Sequence, residues 1–177
     1  DIPAFIAKLK SDVEANLLIN IELNAEVDEV SGYLGNYVTT LLKNDGTRIE
    51  VKHGAVIVAT GADAMAPTEY LYGSSPAVLT QTKLEQKLAE TGLGEAKTVV
   101  MINCVGSREP ERPYCSRVCC THAIKNALKI KEINPDANVI ILYRDIRTYG
   151  FKEGFYTEAR RKGVIFIRYN VDDKPEG

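Results

Sequence analysis

Much that would point to a common function class is missing from this chain. Its 22 basic and 24 acidic residues leave a formal charge of -2, so there is no basic field for a polyanion or an acidic membrane, and nucleic-acid binding is excluded as a main function. No apolar run approaches the ~18 residues of a membrane span. The opening DIPAFIAKLKSD carries neither the apolar core nor the cleavage site of a signal peptide, and the expected compartment is the cytoplasm. Internal repeats and low-complexity tracts are absent, and there is no initiator methionine, which reads as a piece excised from something longer. His53 and His122 are the only histidines and read as surface or core residues rather than ligands.

Cysteine is confined to one place. Cys104, Cys115, Cys119 and Cys120 fall within a single 17-residue window, and no other cysteine occurs. In a reducing compartment structural disulfides are disfavoured, so such a cluster reads as metal-binding or catalytic. The rest of the composition, 45% hydrophobic and 26% charged over 177 residues, is that of a globular chain long enough for a real core.

The predicted organisation is α/β, with two domains dividing near residue 95. The first, residues 1–95, opens with an amphipathic helix whose face is Phe5, Ile6, Leu9 and Val13. Alternation at Ile19, Ile21 and Leu23 predicts a half-buried strand running on to Val30. Strand-like runs at Tyr37 to Leu42 and Thr47 to Val51 flank Lys43-Asn44-Asp45-Gly46, a tight-turn sequence, so a small antiparallel meander is expected. Ala55 to Ala59 is apolar on both faces, which predicts a strand buried in a layered sheet. It ends in Ala59-Thr60-Gly61, where small side chains let a cofactor approach the backbone at the carboxyl end of the sheet. Residues 63 to 96, with a short helix near Gln81 to Glu90, read as a crossover or linker.

The second domain, residues 96–177, reads as strand (Thr98–Ile102), cysteine loop, helix (Cys115–Ile133), strand (Asn138–Tyr143), helix (about Lys152–Lys162) and strand (Val164–Tyr169). Strands separated by helices predict a parallel, Rossmann-like sheet of βαβ units. The cysteine loop then occupies the place of a phosphate loop, but the G-x-G-x-x-G that would let a pyrophosphate touch backbone N–H groups is missing. Cys104-Val105-Gly106 is followed instead by a charged insertion, Arg108 to Pro113. Asp145 stands where an acidic ribose partner would, yet without the glycines it reads better as a strand-end charge paired with Arg144 or Arg147.

The thiol spacing matches no common metal motif. Cys115 and Cys119 are one helical turn apart, whereas Cys120 is rotated by about 100° from Cys119. All four converge only if Cys104 arrives from the strand end and the first helical turn is distorted. Paired zinc arms and the C-x₂-C-x₂-C of ferredoxins are both absent. Two points favour an iron–sulfur cluster over zinc: a loop at a helix N-terminus offers free N–H groups to cluster sulfides, and Arg108, Arg112 and Arg117 surround the thiols and offset a cluster's negative charge. Zinc, a redox-active dithiol and plain small core residues remain alternatives on the residues alone.

The stretch from CVGSREPERPYCSRVCC through YRDIRTYG to VIFIRY, preceded by GAVIVATGA, resembles the A-subunit family of the CoB–CoM heterodisulfide reductases over about residues 52 to 170. That resemblance implies a thioredoxin-reductase-like iron–sulfur flavoprotein of which this chain is an internal fragment: part of an FAD domain with the meander, then the domain that holds the nucleotide in ordinary thioredoxin reductases. It implies that Cys104, Cys115, Cys119 and Cys120 ligate one [4Fe–4S] cluster relaying electrons to or from FAD. Ala59, Thr60 and Gly61 would lie along an FAD bound mostly by other parts of the parent protein. Gly106 and Ser107 are expected to supply turn geometry and donors to the cluster, and Lys125 to reach toward the flavin. No catalytic residue is assigned, and the isolated fragment is expected to be inactive. Implied partners are other heterodisulfide reductase-type subunits and ferredoxin or hydrogenase-linked carriers. The competing function is a non-catalytic zinc-stabilised module that assembles subunits, or a dithiol/disulfide oxidoreductase. Tyr114, Tyr143 and Tyr149 read as ordinary packing. Arg144, Arg147 and Arg160 with Asp145 and Glu153 read either as a docking patch or as a solvated ion-pair face.

Overall fold

The structure, a computed structural model, describes residues 2–175, and these form two compact units that divide between Ala62 and Asp63. Each has its own architecture.

In the first unit, helix α1 (Ile2–Glu14) precedes a three-stranded antiparallel sheet of β1 (Ala25–Tyr33), β2 (Asn36–Lys43) and β3 (Arg48–His53), in the order β1-β2-β3. Two tight turns close it. In the second, Asp45 accepts the Thr47 N–H at 2.9 Å and Gly46 takes the left-handed backbone, with φ of 86°. Register slips between Val27 and Glu29, leaving Asp28 as the extra residue of a bulge, and Arg48 meets its carboxylate at 3.1 Å. The central strand carries the buried Thr39, bonded to His53 Nε2 at 2.7 Å, while His53 Nδ1 lies 2.9 Å from the Ala55 carbonyl. A carbonyl only accepts, so Nδ1 carries the proton and Nε2 accepts from the Thr39 hydroxyl. His53 is a structural clasp of the meander and stacks on Tyr37.

Three expectations for this unit change. The α1 face is present, but Phe5, Ile6, Leu9 and Val13 are all exposed. Ile19 to Leu23 alternates as a strand should, yet the ladder stops at the Ala25–Lys43 pair, with one further backbone bond from the Asn44 N–H to the Asn24 carbonyl at 3.1 Å, because β2 turns back there. Ala55 to Ala59 is not a buried strand either. It lies outside any helix or strand, with Ile57 90% exposed. A strand needs neighbours to satisfy its backbone, and β3 ends at His53 without providing them.

The second unit is the predicted Rossmann-like layer. Strands β4 (Thr98–Ile102), β5 (Asn138–Tyr143) and β6 (Ile165–Arg168) pair in parallel with β5 central. Helix α3 (Cys119–Ile133) crosses from β4 to β5, and helix α4 (Glu153–Arg161), entered by a 3₁₀ turn at Gly150–Lys152, crosses from β5 to β6. Parallel neighbours require such crossovers. The core forms where Ala123, Ile124, Ala127 and Ile130 of α3, at helical spacing, meet Val139 and Ile141 of β5, all at 1% exposure or less. On other positions of the sheet Val100, Ile165 and Ile167 stay about half exposed.

Helix α2 (Gln81–Glu90), capped by Thr80, joins this core through Leu88. The buried Asn126 amide of α3 donates to both the carbonyl and the side-chain oxygen of Gln81, so the segment read as a linker is packed against α3. Helix α3 begins at Cys119, four residues later than the pattern predicted, because Arg117 adopts φ of 62°. A left-handed residue cannot sit inside a right-handed helix.

Replacing Ile130 with alanine empties the centre of this core. The expected loss is about 2–5 kcal/mol of unfolding free energy, read by urea denaturation followed by far-UV ellipticity.

Candidate metal centre

The parallel pairing of β4 and β5 brings the ends of both strands to one edge, and the cysteine loop grows from it. Asn103 continues the ladder, its N–H donating to the Leu142 carbonyl at 2.9 Å, and its own carbonyl accepts the Tyr169 hydroxyl. The chain then reverses. Cys104, Gly106 and Arg108 all take left-handed φ values, of 65°, 59° and 60°, and the Ser107 N–H returns to the Cys104 carbonyl at 3.3 Å. Gly106 suits this path for a second reason, since a β-carbon there would stand 2.5 Å from the Met65 methyl. The charged insertion closes on itself by paired backbone bonds between Glu109 and Arg112.

Buried cations tie this loop to β5. Arg144, 6% exposed, donates from Nη2 to the Ser107 carbonyl at 3.1 Å and to the Arg108 carbonyl. Its Nη1 faces Glu109 at 3.8 Å, too long for a hydrogen bond. Being buried, Arg144 does not belong to an external docking patch. Asp145 pairs with Arg108 at 2.6 Å and Arg168 at 3.7 Å, not with Arg144 or Arg147 as expected. Its partners come from the cysteine loop and from β6.

The Cys119 and Cys120 thiols meet each other, and the Cys104 backbone N–H reaches Cys119. The Cys119 thiol is pulled down to about 6, first by a hydrogen bond from Cys120; burial opposes this, and Ser116 with the backbone N–H groups of Cys104 and Cys120 assists. The same contact, with burial, pushes the Cys120 thiol strongly up, and Cys120 Sγ donates to the Asp145 carbonyl at 3.5 Å. Cys115 lies outside the helix, its sulfur accepting from the Arg117 N–H at 3.4 Å. The unwound turn therefore replaces the expected one-turn stacking of Cys115 under Cys119. Among the described residues, no three His, Cys, Asp or Glu side chains stand together as a metal-binding group.

The other predicted positions are distributed. Ser107 offers its carbonyl to Arg144. Lys125, on an exposed face of α3, bonds Glu85 of α2, which also meets His122 at 2.7 Å; the hydrogen bond from Lys125 first, then that from His122, holds the Glu85 carboxyl below its usual range. Ala59, Thr60 and Gly61 are exposed and lie outside any helix or strand, in the other compact unit. The sequence pattern did not point to Asn103, Glu85 or the loop-tying role of Arg144. Asn103 was recoverable from its place between a strand end and the first cysteine. Glu85 and Arg144 carried no local signal, because their partners lie about 40 residues away.

No family model matches the chain. Among individual proteins, it is 41% identical over 138 residues to the A subunit of the H(2):CoB-CoM heterodisulfide,ferredoxin reductase of Methanothermobacter thermautotrophicus, a match that covers 68% of this chain. It is 42% identical over 146 residues, 73% of the chain, to the A subunit of the ferredoxin/F(420)H(2)-dependent CoB-CoM heterodisulfide reductase of Methanosarcina acetivorans. The chain belongs to the A-subunit family of the CoB–CoM heterodisulfide reductases. The matched region spans only 21% and 18% of those two relatives. A third, the A subunit of the H(2)/formate:CoB-CoM heterodisulfide,ferredoxin reductase of Methanococcus maripaludis, is 40% identical over 149 residues, with 23% of its length matched. Among the described residues, no helix is long and apolar enough to cross a membrane.

The thiol environments predict an order of reactivity in metal-free protein. At pH 7 Cys119, mostly thiolate, should be alkylated by iodoacetamide well before the buried Cys120. Its rate should fall as pH drops through about 6, because protonation removes the nucleophile. Fragment-ion mass spectrometry of the peptide containing both residues separates the two.

Proposed function

We propose that this segment is the electron-relay part of a heterodisulfide reductase-like oxidoreductase, with Cys104, Cys115, Cys119 and Cys120 holding one [4Fe–4S] cluster. The observation that carries the reading is a shortage of acceptors around the loop. Asn103 Nδ2, Arg108 Nη1 and Arg144 Nη1 are buried donors without a hydrogen-bond partner. Leaving a buried donor unpaired costs about 1–3 kcal/mol, and more for a charged group. A thiolate-ligated cluster, anionic and presenting sulfide acceptors, matches that need in charge and in donor chemistry. An all-thiol donor set fits iron–sulfur chemistry as well. Zinc would use the thiolates but adds no sulfide acceptors, so the unpaired donors favour the cluster over the assembly-module reading.

Each residue then has a defined task. The cysteines are the ligands, from a strand-end loop, an unwound turn and the first turn of α3. Gly106 and Ser107 shape the loop, and Arg144 holds their backbone against β5. When bound, such a cluster passes single electrons. FAD would be the redox neighbour in the whole parent protein. Ala59, Thr60 and Gly61 lie in an exposed irregular run and do not by themselves make a flavin site, so no step is assigned to them. Lys125, engaged by Glu85, sits on a solvent-facing helix surface and is a candidate flavin neighbour only after that pair opens. Ferredoxin, which the relatives' names include, and the other reductase subunits are the proposed partners, and activity belongs to the whole assembly.

Protein purified anaerobically or reconstituted should carry about four iron and four acid-labile sulfide per site, with broad visible absorption. Cys119→Ser should lose both. Stoichiometric zinc, or no metal after reconstitution, would favour the assembly or dithiol reading.

A further inference from the structure

Of the three unpaired donors, Arg108 Nη1 belongs to the side chain whose surroundings are best defined. Arg108 Nη2 holds the Asp145 carboxylate at 2.6 Å, and the Cys104 thiol is a further polar neighbour of the guanidinium. Asp145 is in turn steadied by Arg168 at 3.7 Å, and its backbone carbonyl accepts from the Cys120 thiol at 3.5 Å. One strand-end residue thus reaches two of the four thiols, Cys104 through Arg108 and Cys120 through the main chain. The other arginines have different positions. Arg144 spends its guanidinium on loop carbonyls, and Arg117 is exposed at the turn before α3.

We propose that Arg108, held in place by Asp145, is the residue that balances the charge of the cysteine site and raises its reduction potential. This rests on the cluster assignment above and adds to it a named tuning residue. Adding an electron beside a fixed cation is favoured by Coulomb attraction, and a partly buried pair is screened less than a surface one. The ion pair sets the guanidinium before the electron arrives, so little reorganisation is needed. The unpaired Nη1 leaves its two N–H groups for a sulfur acceptor, and such hydrogen bonds also raise cluster potentials. Asp145 thereby takes a role unlike that of an acidic ribose partner: its carboxylate is occupied by a cation that faces the thiols.

The test is a redox titration followed by electron paramagnetic resonance on the full-length parent protein, purified anaerobically, with iron and sulfide counted. The signal abolished by Cys119→Ser identifies the relevant cluster. Arg108→Gln should keep wild-type iron and shift the midpoint of that signal negative; Arg108→Lys should restore most of the shift, and Arg161→Gln, on the exposed end of α4, should leave the wild-type midpoint in place. If Arg108→Gln loses iron while Arg108→Lys retains it at near wild-type potential, charge at this position is again what the site requires. A wild-type midpoint in fully loaded Arg108→Gln overturns the proposal. So does equal iron loss in both Arg108 variants, which would make the residue a structural tie. Wild-type protein in which Cys119→Ser removes no cluster signal fails the underlying assignment, and this inference with it.

Discussion

The seating of α3 on β5 is the contact on which the cysteine site depends. Ala123, Ile124, Ala127 and Ile130 present one apolar stripe to Val139 and Ile141, and all six are essentially sealed from water. Small alanines let the helix approach the strand closely, and the two isoleucines supply most of the buried area, each worth about 1.5–3 kcal/mol. Because α3 is anchored by its middle, its first turn is delivered to the carboxyl ends of β4 and β5 whether or not that turn is itself regular. Cys119 and Cys120 arrive there as a consequence of packing elsewhere. Asn126, bonded across to Gln81, adds directional contacts that a purely apolar stripe does not provide.

Around that anchored end, backbone and charge act together. Left-handed residues at Cys104, Gly106, Arg108 and Arg117 turn the chain twice where a regular strand–helix connection would turn once. Non-glycine residues adopt this region at a cost of about 1–2 kcal/mol each, so the loop needs external support. Arg144 provides it by reaching from β5 to two loop carbonyls, and Arg108 by reaching back to Asp145. The pattern is reciprocal: each side of the loop–strand junction places a cation on the other. Cations held this way are already desolvated and directed, the arrangement that stabilises charge arriving at a nearby centre.

The sequence disclosed the parts of this protein that depend on local periodicity. The α2 and β5 ranges and the β4 range followed from apolar spacing, and the meander from its Asn-Asp-Gly turn. What stayed hidden depends on neighbours. Ala55 to Ala59 has the composition of a buried strand and the exposure of a free one, because burial is a property of the sheet around a strand and not of its residues. The start of α3 was misplaced by four residues because Ser116 and Arg117 have acceptable helix propensity, and only the tertiary position of the loop forces Arg117 out of the helical region. At the site, the window that holds all four cysteines was legible, and so was its place between β4 and α3. That Cys115 lies outside α3 while Cys119 and Cys120 open it was not, since it turns on the Arg117 backbone angle. Asp145 was visible as a strand-end acid, but its partner came from the insertion, which no periodicity describes.

The same reasoning explains how a nucleotide-type scaffold can serve a different anion. A strand–loop–helix unit concentrates free N–H groups and the positive end of a helix at one point. In a dinucleotide fold the glycine fingerprint exposes that point to pyrophosphate, and the acid at the end of the next strand awaits a ribose. Here the glycines have given way to thiols and a charged insertion, and Asp145 is engaged by Arg108. With that acid neutralised and the loop crossed by Arg144, the features that select a nucleotide are lost while the positive field persists. An anionic centre attached through cysteine would use that field without needing the glycines. On the proposed cluster reading, the retained fold and the absent fingerprint belong together: the scaffold's electrostatic preference would be kept, and attachment would pass from backbone contact to ligation by cysteine.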